Sequence, residues 1–456
     1  MSLSVVILAA GQGTRMRSTL PKVLHPLGGF PLLQHVIRAA QQLEPSNIHV
    51  VYGHGGERVR EVLGHEAVNW VLQDQQLGTG HAVDQAMPSV SDNDTLLVLY
   101  GDVPLISAET LRHLLAAAEN GGLSVLTATL DDPQGYGRII RDADGNLVGI
   151  VEQKDASEAQ LKIREINSGF LAAPAARLRG WLDRLDNSNT QQEYYLTDVI
   201  AMAAADGVDV SSAAAEYEHE ILGVNDRLQL SALERIYQRG QAERLMQSGV
   251  TLADPGRFDV RGDISVGQDS FIDANVILEG LVKIGDNVKI GPNCLIIDSF
   301  IGDDVEILSH CVIQDADIGA ASRIGPFARL RPETRLADHV HVGNFVEIKK
   351  SRVAAGSKIN HLSYIGDTRM GSKVNVGAGT ITCNYDGANK HLTEIGDDVF
   401  IGSDTQLVAP VKVGDGATIG AGSTITREVP AGELALSRCP QQLRPGWKRP
   451  VKKSRE

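Results

Sequence analysis

Cysteine is sparse in this chain: Cys294, Cys311, Cys383 and Cys439 are spread through 456 residues and form no CxxC pair. That usage excludes a disulfide framework and fits a reducing compartment. Long hydrophobic runs are also missing. The apolar stretch "VVILAA" is too short to span a bilayer, and no basic segment precedes a cleavable apolar core. Basic charge is in deficit, with 43 Lys and Arg against 57 Asp and Glu and a net charge of -14, which argues against a general nucleic-acid binder. The exception is the end, "RPGWKRPVKKSRE", which reads as a loosely held, solvated arm. A cytoplasmic protein with no nucleic-acid or membrane partner is expected.

What is present has two rhythms. The length exceeds one ordinary domain, and 42% hydrophobic residues are ample for more than one core. Up to residue 228, nearly continuous apolar runs ("SVVILAAG", "NIHVVYGH", "TLLVLYGDVPLI") alternate with helical patterns such as "PLLQHVIRAAQQL" and "GHAVDQAM". Such strands are expected where helices cover both sheet faces, so residues 1–228 predict an α/β domain with a largely parallel, Rossmann-like sheet. A helical linker is expected over 229–249, with Leu230, Leu233, Ile236 and Tyr237 on one face.

From 250 to 456 the pattern changes to an aliphatic residue, Gly and two polar residues on a beat of six, as in "VKIGDNVKIGPNCLIIDSFIGDDVEI". A hexapeptide period predicts a parallel β-helix, with the aliphatic side chain inward and tight corners at Gly and Asn. Three hexads make one triangular coil, so about 18 residues advance one layer, and 252–437 holds on the order of ten coils. Two charged stretches, "ARLRPETRLADHVHVGNFVEIKKSRV" and "TCNYDGANKHLTEI", are expected to break register and to carry the function on one face.

The opening "LAAGQGTRM", followed by "PK", matches neither the dinucleotide fingerprint nor the P-loop. A strand ending in small residues lets backbone N–H groups face phosphate oxygens. Asp102, at the end of an apolar run, is a hard ligand suited to Mg²⁺; taken alone, the lesser alternative is a strand-end cap. In the β-helix, His361 is a candidate general base, since histidine is the residue type most used for that role, although a lone turn histidine is more often structural.

The motif "LAAGxGTRM…PK" resembles the nucleotidyltransferases that build sugar nucleotides. That resemblance implies that Leu8, Ala9, Ala10 and Gly11 approach the nucleotide while Arg15 and Lys22 grip its triphosphate. It implies that "LGTGHA", with Gly78 and Thr79, reads the base beside Gln73, which offers a paired donor and acceptor to uracil. Tyr100, Gly101 and Asp102 follow in "YGDVPL". Gly137, Glu152 and Asn167 would hold the sugar, and Asn225 in "GVND" would join Asp102 as metal ligand.

With "RPE", "NFVEIKK", "HLSYIGD", "GAGTITCNYDGANK" and "GSDTQLVAPV" added, nearly the whole chain resembles the bifunctional GlmU family of uridyltransferase–acetyltransferases. The resemblance implies a left-handed β-helix, a homotrimer, and two steps. Acetyl-CoA acetylates glucosamine-1-phosphate, and UTP then converts N-acetylglucosamine-1-phosphate to UDP-N-acetylglucosamine. His361 would be the base; Arg331, Lys349, Tyr364, Asn375 and Lys390 the sugar-phosphate pocket; Ala378, Asn384, Tyr385, Ser403, Ala421 and Arg438 the acetyl-CoA site. The alternative is a single-activity nucleotidyltransferase with a structural β-helix.

Overall fold

Ser2–Leu8, whose side chains from Ser4 onward are all buried, forms an interior strand of a nine-stranded sheet. It pairs in parallel with Asn47–Gly53 on one side and Asp94–Tyr100 on the other. Asn69–Gln73 adds a further parallel strand at that edge. Because these strands run the same way, their last residues Leu8, Gly53, Gln73 and Tyr100 lie at one sheet edge, where open α/β sheets place their ligands. Glu165–Pro174 runs antiparallel between Asp94–Tyr100 and Leu123–Thr129, which carries its N-terminal half to that same edge. The sheet is thus largely parallel, with one reversed strand and the hairpin Gly137–Arg141/Leu147–Val151 attached to it.

The computed structural model describes residues 2–53 and 56–452; residues 1, 54, 55 and 453–456, the last being the end of the basic arm, lie outside the described residues. The chain divides into two compact units, Met1–Gly240 and Gln241–Glu456, the division falling inside helix Arg227–Gln247. Leu233 of that helix is buried with Met16, Leu27, Leu32 and Val224, and Leu230, Ile236 and Tyr237 pack beside them. Further along, Ala242 belongs to the core of the second unit.

That core is a stack. Ile284, Ile301, Ile318, Leu336, Val353, Met370, Ile395 and Val413 lie in register on successive parallel strands. Each stays buried because the aliphatic position of the hexad always points inward. An 11-stranded and a 17-stranded parallel sheet supply the walls. Interlayer partners are 17 or 18 residues apart, as the hexad count predicts.

One expected interruption is absent. The stretch 328–353 keeps register, pairing Arg323 with His341, Arg329 with Glu347 and Arg335 with Arg352. Its charges occupy outward positions, where the hexad makes no demand for an aliphatic side chain. The interruption at "TCNYDGANKH" is real: there the interlayer step rises to 25 residues, and Tyr385 bridges Lys390 across a small loop.

At one corner a left-handed residue recurs in each coil: Asn275, Asn293, His310, Phe327, Phe345 and Leu362. Asn tolerates that backbone, whereas Phe and Leu adopt it at roughly 1–2 kcal/mol each. Stacking offsets part of this, with ring centroids 4.8 Å apart for His310 and Phe327 and 5.2 Å for Phe327 and Phe345. Phe327, Phe345 and Leu362 remain exposed.

Two candidate active sites

In the first unit a cleft of about 560 Å³ is lined by Leu8, Ala9, Ala10, Gly11, Lys22, Gln73, Gly78, Thr79, Tyr100 and Asp102, together with Gln12, Gln76 and Glu193. The loop after Leu8 is tied down from both sides. Ala9 N–H donates to Val51, and the Gln76 amide donates to the Ala10 carbonyl. Gly13 has φ 62°, and a Cβ there would lie 2.5 Å from Lys22 Cβ. Glycine at this turn therefore lets the Lys22 side chain cross beneath the loop.

Lys22 Nζ donates to Asp102 Oδ2 and lies 3.4 Å from Asn225 Oδ1, to which Arg15 Nη2 donates at 2.9 Å. Two oxygens from distant parts of the chain thus converge on one ammonium. A carboxylate and an amide oxygen so placed are a hard donor pair that fits a divalent cation. No group of three or more His, Cys, Asp or Glu able to hold a metal occurs among the described residues, so such a cation would complete its shell from phosphate and water.

The predicted sugar group is Gly137, Glu152 and Asn167. A Cβ at Gly137 would touch the Glu152 carboxylate at 3.5 Å. Asn167 is buried and its Oδ1 accepts from Gly169 N–H at 3.0 Å, in a bulge of the reversed strand. Gly169, at φ 92°, leaves room for the Tyr100 ring, which a Cβ would approach within 2.6 Å. Burial raises the Glu152 pKa, and Asp198 and Asp155 add to the shift, against a hydrogen bond from Thr197. Motif reading missed Tyr195. Its buried hydroxyl has no hydrogen-bond partner among the described residues, and burial with nearby acids pushes its pKa up to about 12.

Gln73 departs from expectation in one respect. Its Nε2 donates to the Gly78 carbonyl at 3.2 Å and lies 2.9 Å from His81 Nδ1, so its hydrogens are engaged within the protein. The paired donor and acceptor expected of it reduces to an acceptor, Oε1.

In the second unit His361 sits at a corner, with Nδ1 3.0 Å from Asn344 Oδ1 one coil earlier. An amide oxygen only accepts, so Nδ1 carries the proton and Nε2 is left with its lone pair. Asn344 was not among the predicted residues; a step of 17 back from His361 would have found it. Backbone bonds from Gly379 to His361, Asp404 to Ala378 and Gly422 to Ser403 set Asn344, His361, Ala378, Ser403 and Ala421 in one axial column. Arg438 closes it by donating to the Ala421 carbonyl at 2.9 Å.

On the adjoining face Lys349 meets Lys390 of the inserted loop. Contact with that second ammonium lowers the Lys349 pKa, and Arg331 contributes in the same sense. Arg331 has an acidic partner, Glu347 at 2.7 Å. Such a cluster is suited to a phosphate dianion. Tyr364 follows Glu347 in register, and Asn375 lies on the neighbouring sheet beside Lys358. Asn384 is buried, its amide donating to Asp367 at 2.6 Å, while Tyr385 is exposed on the loop.

Comparison with known proteins agrees with this division. Residues 5–251 match the MobA-like NTP transferase domain, 260–364 the GMPPB C-terminal domain, and 392–427 the six-repeat bacterial transferase hexapeptide family. Bifunctional protein GlmU of Aromatoleum aromaticum is 59% identical over 451 residues, covering 99% of each chain. Its counterpart in Pseudomonas entomophila is 59% identical over 452 residues, again 99% of each. That of Alkalilimnicola ehrlichii is 58% identical over 449 residues, covering 98% of this chain and 97% of the other. With both halves and the whole length accounted for, the chain belongs to the bifunctional GlmU family.

Proposed function

We propose that this chain makes UDP-N-acetylglucosamine in two steps, acetylating glucosamine-1-phosphate with acetyl-CoA in the β-helix and joining the product to UTP in the α/β unit. The observation that carries the proposal is the pairing of two chemically distinct sites in one chain: oxygen ligands and cations at Lys22, Asp102 and Asn225, and an oriented imidazole beside a lysine pair.

For acetyl transfer, Arg331, Lys349 and Lys390 hold the sugar phosphate, with Tyr364 and Asn375 completing the pocket. His361 Nε2 takes a proton from the sugar amine as nitrogen attacks the thioester carbonyl; the C–S bond then breaks and the leaving CoA thiolate takes up that proton, while Asn344 keeps the ring in the required tautomer. Ala378, Ser403 and Ala421 offer a low track for the pantetheine arm, with Asn384 and Tyr385 beside the acetyl end and Arg438 at the far, anionic end. For uridylyl transfer, an N-acetylglucosamine-1-phosphate oxygen attacks the α-phosphorus of UTP and pyrophosphate leaves. No protein nucleophile is needed; Arg15, Lys22 and the backbone of Leu8 to Gly11 align the phosphates and offset their charge. Asp102 and Asn225 would hold Mg²⁺, which supplies further neutralisation of the phosphates. Gly137, Glu152 and Asn167 hold the sugar, and Tyr195 offers it an unused hydroxyl.

The assembly in this proposal is a homotrimer in the cytoplasm, and the exposed Phe327–Phe345–Leu362 edge supports burial against another copy. Mass spectrometry of products from glucosamine-1-phosphate, acetyl-CoA, UTP and Mg²⁺, omitting each in turn, tests the scheme. Acetylated sugar phosphate must accumulate without UTP. Product formed only from pre-acetylated sugar would leave the β-helix as a scaffold.

A further inference from the structure

We infer that His81 is the positioning residue that makes Gln73 selective for uracil over cytosine. The inference rests on the reading of Gln73 as the base-contacting residue. Gln73 ends strand Asn69–Gln73 and is buried, so its amide cannot turn freely into water. Its neighbours dictate which way it faces. The Gly78 carbonyl can only accept, so Nε2 must point at it. The other contact of Nε2 is His81 Nδ1 at 2.9 Å, which must therefore be an unprotonated acceptor. That leaves the imidazole proton on Nε2, 3.3 Å from the amide nitrogen Nε2 of Gln85, one turn on in helix Thr79–Ala86. An amide N–H cannot accept from an imidazole N–H, so this tautomer requires Gln85 to turn its oxygen to the ring; it is the contact of Nδ1 with Gln73, itself fixed by Gly78, that sets the tautomer.

With its hydrogens engaged by Gly78 and His81, Gln73 presents Oε1 to a ligand. Uracil carries a hydrogen on N3 that this oxygen accepts. Cytosine carries a lone pair on N3 and meets lone pairs. Reversing the amide to suit cytosine would bring Oε1 against both the Gly78 carbonyl and the His81 Nδ1 lone pair. Discrimination thus resides in the acceptor behind Gln73, because a buried polar group forced to face its own kind is a strong barrier.

The test is the ratio of kcat/KM for UTP to that for CTP, with N-acetylglucosamine-1-phosphate and Mg²⁺, read by pyrophosphate release. The ratio does not depend on how much of a variant is folded. His81→Leu removes the acceptor and should lower the ratio roughly tenfold. His81→Asn puts an amide oxygen near the place of Nδ1 and should restore most of it. Where turnover is too slow, the same ratio is read from UTP and CTP binding by calorimetry. An unchanged ratio in His81→Leu overturns the inference, as does a fall that His81→Asn does not reverse. Gln73→Ala separates the two layers. If it collapses the ratio while His81→Leu does not, only the role of His81 fails; if it leaves the ratio untouched, the reading of Gln73 itself fails.

Discussion

Around the nucleotide cleft, Arg15 meets Asn225 from 210 residues away, whereas in the β-helix His361 meets Asn344 from 17 residues away. In the first unit a site is gathered: parallel strands deliver unrelated loops to one edge, and each loop has its own length and its own fastening. In the second a site is counted: any residue's neighbour lies one coil on, and only a change of step creates something new. The α/β site should therefore depend on single side chains held by long-range contacts. The β-helix site should depend on register and on the one loop that departs from it.

The largest expected effects separate the sites. Asp102→Ala should lower uridylyl transfer by about 10³-fold while acetyl transfer stays near its starting rate. His361→Ala should do the converse, by roughly 10²–10⁴-fold. Separate assays of acetylated sugar phosphate and of pyrophosphate check both, and joint loss in either variant would break the division. Next comes the loop. His391 N–H reaches the Asn384 carbonyl at 2.8 Å, so its ends are already close. Replacing 385–390 with two glycines should abolish acetyl transfer by about 10²-fold, since Lys390 goes with it. The melting temperature should stay within about 3 °C; a large drop would mean the loop supports the stack. Asn344→Ala should lower acetyl-transfer kcat about tenfold with little change in the sugar's KM, because the ring loses its tautomer partner.

The smallest effect concerns stability. Glu152 has a folded pKa above its unfolded one, so its favourable contribution belongs to the protonated form. That contribution is complete below the unfolded pKa and is lost as pH rises through the folded value. Glu152→Gln should therefore raise the melting temperature of the α/β unit at neutral pH by about 2 °C, with the gain vanishing in acid, while uridylyl transfer falls. Calorimetry across pH reads the sign, and a lower melting temperature at neutral pH would contradict it.

Much of the β-helix could be read ahead of the coordinates because its rule is local: the hexad sets inward aliphatics, and the break at "TCNYDGANKH" is visible as a lost beat. The stretch 328–353 misled because charge on an outward face looks like disorder in the pattern although the inward positions are intact. In the α/β unit, motifs singled out Lys22, Asp102 and Asn225, yet no spacing tells that the last two converge on the ammonium of the first. Nor could sequence tell that Gly78 and His81 claim the hydrogens of Gln73, since that depends on the helix start and the strand end meeting in space.

The column that runs from His361 through Ala378 and Ser403 to Ala421 has a further meaning as a ruler. Adjacent layers are separated by roughly 4.8 Å, so the three steps span about 14 Å, the order of an extended pantetheine arm. On the proposed acetyl-CoA site, backbone pitch rather than any side chain would measure how long an acyl carrier must be for its thioester to arrive at the imidazole while its charged end reaches Arg438. In that proposal a truncated thioester would still reach His361 but would fall short of the far mark on that scale.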